Sequence, residues 1–180
     1  MTNLTIGRPD ETEYLPYYGR YIALVPEGEV VASLSAQVDE TLALLRGIPE
    51  SLAGFRYAPG KWSIRELLGH VIDSERIFAY RALRFARNDR TPLPGYDQDD
   101  YTANASFEDY PLSELIAEFE SVRRATLFLF KHLSEEAWMR RGAANESEVS
   151  VRALAYIIAG HELHHREILR QNYLQAAQAV

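Results

Sequence analysis

Four long stretches of this 180-residue sequence repeat apolar residues at the three-to-four-residue spacing of an amphipathic helix. The stretches are residues 29–46, residues 63–88, the segment from Pro111 to about His132, and the segment from Ser150 onward. Ser63 and Glu66 form a capping-box pattern at the start of the second stretch, and Gly47 follows the first. No segment alternates polar and apolar residues cleanly, so the pattern predicts an all-α four-helix bundle.

The loop between the second and third helices determines the predicted topology. Residues 89–110 are rich in Pro, Gly and Asp, and at about 3.3 Å per extended residue they could cross the whole length of a bundle. If this loop is a crossover, the second and third helices run parallel and the order is up-down-down-up. The chain length predicts a single domain over residues 1–180, with residues 1–28 as a tyrosine-rich N-terminal arm.

The composition excludes several classes of function. The chain has no cysteine, so it has no disulfide, no thiolate metal site and no thiol nucleophile of its own, and thiol chemistry would need a thiol supplied by a substrate. A net charge of -7 argues against nucleic acid and against a polybasic membrane segment. Neither a signal-peptide pattern nor a membrane-length apolar run is present. We therefore expect a cytoplasmic protein with a small-molecule substrate.

Two of the five histidines have the spacing of metal ligands. His161 and His165 are four residues apart, so on a helix they are separated by about 6 Å along the axis and about 40° around it, and both fall on the predicted buried face. In an up-down-down-up bundle, His70 in the second helix lies at a similar height. These three imidazoles form the predicted metal site, whereas His164 and His132 are interpreted as surface residues or neighbours of the site.

Three neutral imidazoles would leave coordination positions open for water. This arrangement is typical of metals that act as Lewis acids or activate water. Zinc and nickel are the favoured divalent ions, and iron and manganese are further options, because imidazole suits several metals and affinity order alone does not select among them.

The same segment matches the zinc-protease motif His-Glu-x-x-His, through His161, Glu162 and His165. The remaining residues contain no further downstream ligand, and the pattern offers no strand that could hold a peptide, so a protease is disfavoured. Glu162 is kept as a candidate catalytic residue that activates water or orients an imidazole.

Two charged residues fall on otherwise apolar helix faces. Glu75 lies in line with the apolar positions of the second helix, and Arg123 does so in the third. Because an unpaired buried charge is costly, we predict that the two form a buried pair or meet at the site cavity.

The long loop and the N-terminal arm supply further candidates. Tyr96, Asp97 and Gln98 are predicted to bind substrate, although turn chemistry with an aspartate cap explains the same residues equally well. The arm carries four closely spaced tyrosines, at positions 14, 17, 18 and 21. They have the same two interpretations, and packing over the bundle or against a dimer partner is favoured over a role at the substrate site.

Taken in order, these motifs resemble the DinB-like superfamily of damage-inducible-type four-helix proteins. The resemblance rests on the tyrosine-rich residues 13–21, residues 62–73, residues 94–99, the arginine of the third helix, and the final His161-x-x-x-His165-Arg166. It implies an up-down-down-up bundle that is often a homodimer. It also implies a divalent ion held by one histidine of the second helix and two of the fourth, which are His70, His161 and His165 here.

The resemblance also implies two enzyme classes. The first expectation is an S-transferase that moves a low-molecular-weight thiol such as bacillithiol, mycothiol or glutathione to an electrophile, with the thiol bound to the ion as a thiolate. The alternative is a metal-dependent hydrolase that uses a metal-bound hydroxide. A second alternative is a non-catalytic, stress-related small-molecule binder in which the metal is structural.

Overall fold

The computed structural model describes residues 6–177, and most of them are helical. The α-helices are α1 (Gly19–Ile22), α2 (Val30–Arg46), α3 (Ile64–Ala86), α4 (Gln98–Asn104), α5 (Leu112–Lys131), α6 (Glu135–Met139), α7 (Val151–Ile168) and α8 (Gln175–Ala177). Helix α7 continues into α8 through a π-helical segment, Leu169–Leu174. Strands β1 (Arg141–Ala144) and β2 (Ser147–Ser150) form an antiparallel pair. None of the helices within residues 6–177 combines the length and apolarity needed to cross a membrane.

The four predicted long helices are confirmed, with ends within about two residues of the predicted ones. The predicted capping box at the start of α3 is also present: the amide of Glu66 donates to the Ser63 hydroxyl, and the amide of Ser63 donates to the Glu66 carboxylate at 2.7 Å. Helix α3 ends two residues before the predicted Asn88, which takes the left-handed backbone conformation with a φ of 59°. Local capping chemistry therefore accounts for both ends of this helix.

The predicted all-α fold needs one correction, because the chain also contains the β1–β2 hairpin. Its turn residues, Asn145 and Glu146, have φ values of 52° and 61°, as a tight hairpin requires. The amide of Leu93, in the long loop, donates to the carbonyl of Ala143 at 2.9 Å. The two four-residue strands are too short to give a visible alternation in the sequence, and Asn-Glu is not a common hairpin turn.

The four long helices pack around two apolar clusters, one toward each end. One cluster joins the second half of α2 to the first halves of α3 and α5; the other joins the start of α2, the second half of α3 and most of α7. Between these clusters each long helix buries polar side chains. This polar layer consists of Gln37 and Thr41 on α2, His70, Ser74 and Glu75 on α3, Arg123 on α5, and His161, Glu162 and His165 on α7.

Helix α1 packs against α7 at Gly160. A Cβ atom at Gly160 would lie 1.9 Å from the carbonyl oxygen of Tyr21, a distance that no side chain tolerates. The missing side chain therefore allows α1 to approach α7 directly beside His161. This contact brings the N-terminal tyrosines to the polar layer.

Candidate metal centre

The side chains of His70, His161 and His165 converge between α3 and α7. The Nε2 atom of His161 lies 3.1 Å from Nε2 of His70 and 3.1 Å from Nε2 of His165. Ligand atoms from all three imidazoles lie within 4.8 Å of one another. All three side chains are buried. The fold thus brings together the three histidines that the sequence singled out.

The geometry of this cluster fits a metal ion. A neutral imidazole carries one N–H, so the Nε2 atom of His161 can donate to only one of the two Nε2 atoms beside it. In a tetrahedral zinc site with Zn–N bonds of about 2.0–2.1 Å, two ligand nitrogens are about 3.3 Å apart. The separations of 3.1 Å are close to that value. A cation bound by three Nε2 lone pairs would satisfy all three atoms at once.

Burial keeps these histidines in the protonation state that a metal needs. It lowers the pKa of His70 from its ordinary 6.5 to about 4. The pKa values of His161 and His165 lie well below 6.5, first because of burial and then because of the neighbouring imidazoles and Arg20. The triad is therefore neutral at pH 7, and a neutral imidazole is the form that ligates metals.

These pKa shifts predict acid sensitivity of the metal-free protein. The unfolded chain protonates its histidines near pH 6.5, whereas the folded chain protonates His70 only near pH 4. Between these values the unfolded state binds more protons, so the free energy of unfolding should fall as the pH is lowered, by up to about 1.4 kcal/mol per pH unit for each histidine. Urea unfolding of chelator-treated protein at several pH values between 7 and 4.5 measures this slope.

Replacing His70 with Gln supplies the matched control for this pH dependence. Glutamine does not titrate, so the slope between pH 6.5 and 4.5 should become shallower in that variant. An identical slope in both proteins would contradict the assignment of the acid sensitivity to the triad.

Other side chains surround the three imidazoles. The indole of Trp62 packs on the His70 ring with 4.7 Å between ring centroids, and the Tyr21 ring meets His161 edge-on at 5.3 Å. The Nδ1 atom of His165 is buried without a hydrogen-bond partner in residues 6–177. His165 and Glu162 both line a small cavity of about 30 Å³, and this cavity has room for a water molecule.

The remaining histidines lie outside the converging group. His164 is half-buried, and its ring lies 5.0 Å from that of His165 and 5.2 Å from that of Tyr21. His132 is exposed and stacks on the ring of Phe128. These positions match their interpretation as a neighbour of the site and a surface residue.

Arg123 and Glu75 are in contact in the polar layer. The guanidinium Nε donates to Oε1 of Glu75 at 2.8 Å, and Nη2 donates to Oε2 at 2.9 Å. Arg123 also donates from Nη1 to Oε2 of Glu162 at 2.9 Å. The second carboxylate partner was not anticipated from the sequence, because Glu162 lies on a different helix and the motif suggested another role for it.

Both carboxylate oxygens of Glu162 are hydrogen-bonded within this buried network. Its Oε2 accepts from Arg123, and its Oε1 accepts from the hydroxyl of Thr41 on α2. The side chain is only 2% exposed. The carboxylate that was predicted to activate water therefore connects α2, α5 and α7. Both of its oxygens are hydrogen-bonded, so the His-Glu-x-x-His match supplies no free carboxylate oxygen.

A cleft of about 300 Å³ opens onto His161. It is lined by Tyr17, Tyr18, Tyr21, Phe78, Tyr96, Asp97, Gln98, Asp99 and His161. The loop residues predicted to bind substrate thus line the same cleft as tyrosines of the N-terminal segment, for which the sequence interpretation had favoured packing. The clustering of Tyr17, Tyr18 and Tyr21 within five residues was the sequence signal that could have indicated a place in the cleft wall.

Asp97 has the capping role that the sequence left open. Its Oδ1 accepts from the amides of Asp99 at 2.8 Å and Asp100 at 3.0 Å, so it is the N-cap of α4. It also lines the cleft, next to Gln98. Tyr96 is half-buried, and its hydroxyl lies 2.9 Å from the hydroxyl of Ser74.

A mostly helical fold with three histidines gathered from two long helices defines the class of protein. The chain belongs to the DinB superfamily, whose family model matches residues 33–169. This confirms the resemblance noted from the sequence motifs.

The chain is also similar to a curated protein over part of its length. Over 111 residues the chain is 29% identical to a protein of Oceanobacillus iheyensis whose name assigns it provisionally to the metal-dependent hydrolases. The match covers 61% of this chain and 63% of that relative, so the chain spans less than two thirds of its length.

Two solved structures from Bacillus subtilis share the fold. YfiT, described provisionally as a metal-dependent hydrolase with an unusual four-helix bundle topology, superposes with a TM-score of 0.63 at 18% identity, over 91% of each chain. The DinB-like protein YjoA has a TM-score of 0.60 at 20% identity, over 83% of this chain and 90% of its own.

Proposed function

We propose that this protein binds one divalent metal ion through His70, His161 and His165 and acts on a small molecule held in the tyrosine-lined cleft. The observation that carries the proposal is the group of three buried imidazoles, with ligand atoms within 4.8 Å of one another, beside a cleft that reaches His161. A bound ion would supply Lewis acidity, which lowers the pKa of a water or thiol. Zinc and nickel are the favoured ions, with iron and manganese as further options.

The residues of the chain would prepare this site in three ways. Burial holds the histidines neutral, so their lone pairs are available at pH 7. The tyrosines and Phe78 supply aromatic surface that excludes water from the cleft. The contacts of Arg123 with Glu75 and Glu162 hold α7 in register with α3.

Transfer of a low-molecular-weight thiol to an electrophile is the reaction we favour. The chain has no cysteine, so the thiol would come from a substrate. Thiol activation by an ion needs no protein carboxylate as general base, and Glu162 is already engaged by Arg123 and Thr41.

Hydrolysis is the second candidate reaction. The provisional names of the Oceanobacillus iheyensis relative and of YfiT both point to it. Asp97 and Asp99 also line the cleft, and a carboxylate there would be a proton acceptor for an attacking water.

A non-catalytic binder with a structural metal is the third alternative. Structural zinc sites are closed by a fourth protein ligand. The converging group in residues 6–177 contains three histidines next to an open cleft, which favours a catalytic site over a structural one.

Elemental analysis of protein purified without a histidine tag tests the metal proposal. We expect close to one equivalent of a first-row divalent ion per chain, lost on treatment with a chelator and restored by zinc or nickel. Protein that takes up no stoichiometric ion after reconstitution would contradict the proposal.

Activity assays with the metal-loaded protein then distinguish the three candidate functions. Conjugation of glutathione, bacillithiol or mycothiol to 1-chloro-2,4-dinitrobenzene would support thiol transfer. Cleavage of 4-nitrophenyl acetate that disappears on chelation would support hydrolysis. Metal binding without turnover in either assay would favour the structural metal.

We also propose an up-down-down-up order of the long helices in a single domain. Residues 64–72 at the start of α3 share an apolar cluster with residues 112–119 at the start of α5, and with residues 38–45 at the end of α2. His70 near the start of α3 meets His161 near the end of α7. These contacts support α3 parallel to α5 and antiparallel to α2 and α7. A cytoplasmic location and a homodimer stay predictions.

A further inference from the structure

A chain of polar groups connects the cleft to His70. Ser74 lies one turn after His70 on α3 and is fully buried. Its hydroxyl oxygen lies 3.5 Å from Nδ1 of His70 and 2.9 Å from the hydroxyl oxygen of Tyr96. Tyr96 in turn lines the cleft. Ser74 therefore stands between a proposed metal ligand and the wall of the proposed substrate site.

The Ser74 hydroxyl does not use the local backbone partner that several other helical hydroxyls of this protein use. The hydroxyls of Thr102, Ser121 and Thr126 each donate to the backbone carbonyl four residues earlier, at 2.9, 2.9 and 3.0 Å. The Ser74 hydroxyl instead contacts Tyr96 and the His70 ring. The side chain of His70, one turn earlier on the same helix, and that of Tyr96 in the long loop thus replace the backbone carbonyl as partners.

The loop that carries Tyr96 is anchored to the same helix. Arg81, which is buried on α3, donates from Nη2 to the carbonyl of Pro94 at 2.8 Å. Its guanidinium lies 6.0 Å from the centre of the Tyr96 ring. This anchor holds the loop two residues before Tyr96, so the tyrosine hydroxyl is positioned against Ser74 by a second contact.

The positions of the protons follow from the role of His70. An imidazole that offers its Nε2 lone pair to a metal carries its proton on Nδ1, and that proton can be donated to the Ser74 oxygen. The Ser74 hydroxyl then donates its own hydrogen to the Tyr96 oxygen. The Tyr96 hydroxyl hydrogen is left free to donate elsewhere. Burial raises the pKa of Tyr96 above its ordinary 10, so the group keeps this hydrogen at neutral pH.

We propose that Ser74 and Tyr96 are positioning residues: Ser74 fixes the Nδ1–H tautomer of His70, and Tyr96 donates a hydrogen bond to an acceptor oxygen of the substrate. The substrate class is therefore one with a carbonyl, carboxylate or similar oxygen near its reacting atom. This inference rests on the proposed function, because it takes the three histidines as metal ligands and the cleft as the substrate site.

Metal affinity tests the role of Ser74. Removing a hydrogen-bond partner of a ligating histidine typically costs about 10–100-fold in metal affinity. We expect Ser74→Ala to weaken zinc and nickel binding by that factor in competition with a chromophoric chelator, while the melting temperature of the metal-free protein changes little. Ser121→Ala, which removes a hydroxyl bonded only to its own helix, is the matched control and should bind metal normally.

Tyr96→Phe provides a second, independent test. The variant keeps the ring and removes only the hydroxyl. With nickel-loaded protein and acetohydroxamate as the probe, we expect binding of the probe to weaken about five- to tenfold, which corresponds to one hydrogen bond. Tyr101→Phe is the control, because its ring packs against Tyr96 at 5.2 Å but the residue does not line the cleft.

The outcomes separate this inference from the proposed function. If the unsubstituted protein binds no metal, the proposed function fails and this inference with it. If the unsubstituted protein binds metal and Ser74→Ala binds it within twofold of the same affinity, only the role of Ser74 is overturned. If Tyr96→Phe binds acetohydroxamate as tightly as the unsubstituted protein, the donor role of Tyr96 is overturned.

Discussion

Replacing Arg123 with leucine is expected to lower the free energy of unfolding by about 3–5 kcal/mol. The side chain is fully buried and hydrogen-bonds both Glu75 and Glu162. Burial alone would lower its pKa, but the two carboxylates raise it above the ordinary value, so the guanidinium stays charged. Its removal leaves two carboxylates buried without their cation. Urea unfolding monitored by circular dichroism measures the loss.

The neighbouring Arg124 is the matched control for this experiment. It is exposed and pairs with Glu120 one turn earlier, so Arg124→Leu should cost less than about 1 kcal/mol. Adding Glu75→Gln and Glu162→Gln to the Arg123→Leu variant should recover part of the loss, because the unpaired charges are then gone. Equal effects of the Arg123 and Arg124 substitutions would contradict the buried network.

Replacing His161 with alanine should weaken divalent-metal binding by roughly 100- to 1,000-fold. Structural zinc sites gain about 10–16 kcal/mol from four ligands, so one ligand contributes roughly 2.5–4 kcal/mol. His161 is the central member of the triad, with both other Nε2 atoms at 3.1 Å. Chelator competition with zinc and nickel, followed by elemental analysis of the purified variant, measures the change.

His164 is the natural control, because it lies on the same helix and outside the converging group. His164→Ala should keep its metal and its affinity within a few fold. The metal-free His161→Ala protein should still fold, since it loses one side chain without leaving an unpaired charge. Unchanged metal affinity in His161→Ala would refute the proposed centre.

The helices were predictable because their signals are local. Apolar periodicity and the capping box at Ser63 depend on residues within one or two turns of each other, and the structure has the helices where these signals predict them. The β1–β2 hairpin was missed because it depends on distant contacts. Its Gly142 lies so close to Phe85 of α3 that a Cβ atom would be 2.1 Å from that ring, and the loop residue Leu93 pairs with β1.

The candidate site also combines features with a local sequence signal and features that depend on contacts between distant segments. The spacing of His161 and His165 is a property of one helix, so the sequence alone brought them onto one face. The approach of His70 needed a topology, which the length of the loop over residues 89–110 suggested. That Tyr21 and Tyr96 line the same cleft had no local signal, because the two residues are far apart in the sequence and on separate segments.

Local signals in the sequence predicted the four long helices, the capping box at Ser63, the charges on the apolar helix faces and the histidine pair of α7, since each of these depends on neighbours within a few residues. Tertiary structure alone decided that Arg123 bridges Glu75 and Glu162, and that Ser74 links Tyr96 to His70. Hydrogen bonds between separate segments depend on distances of a few ångströms, and those distances are set only when the helices pack.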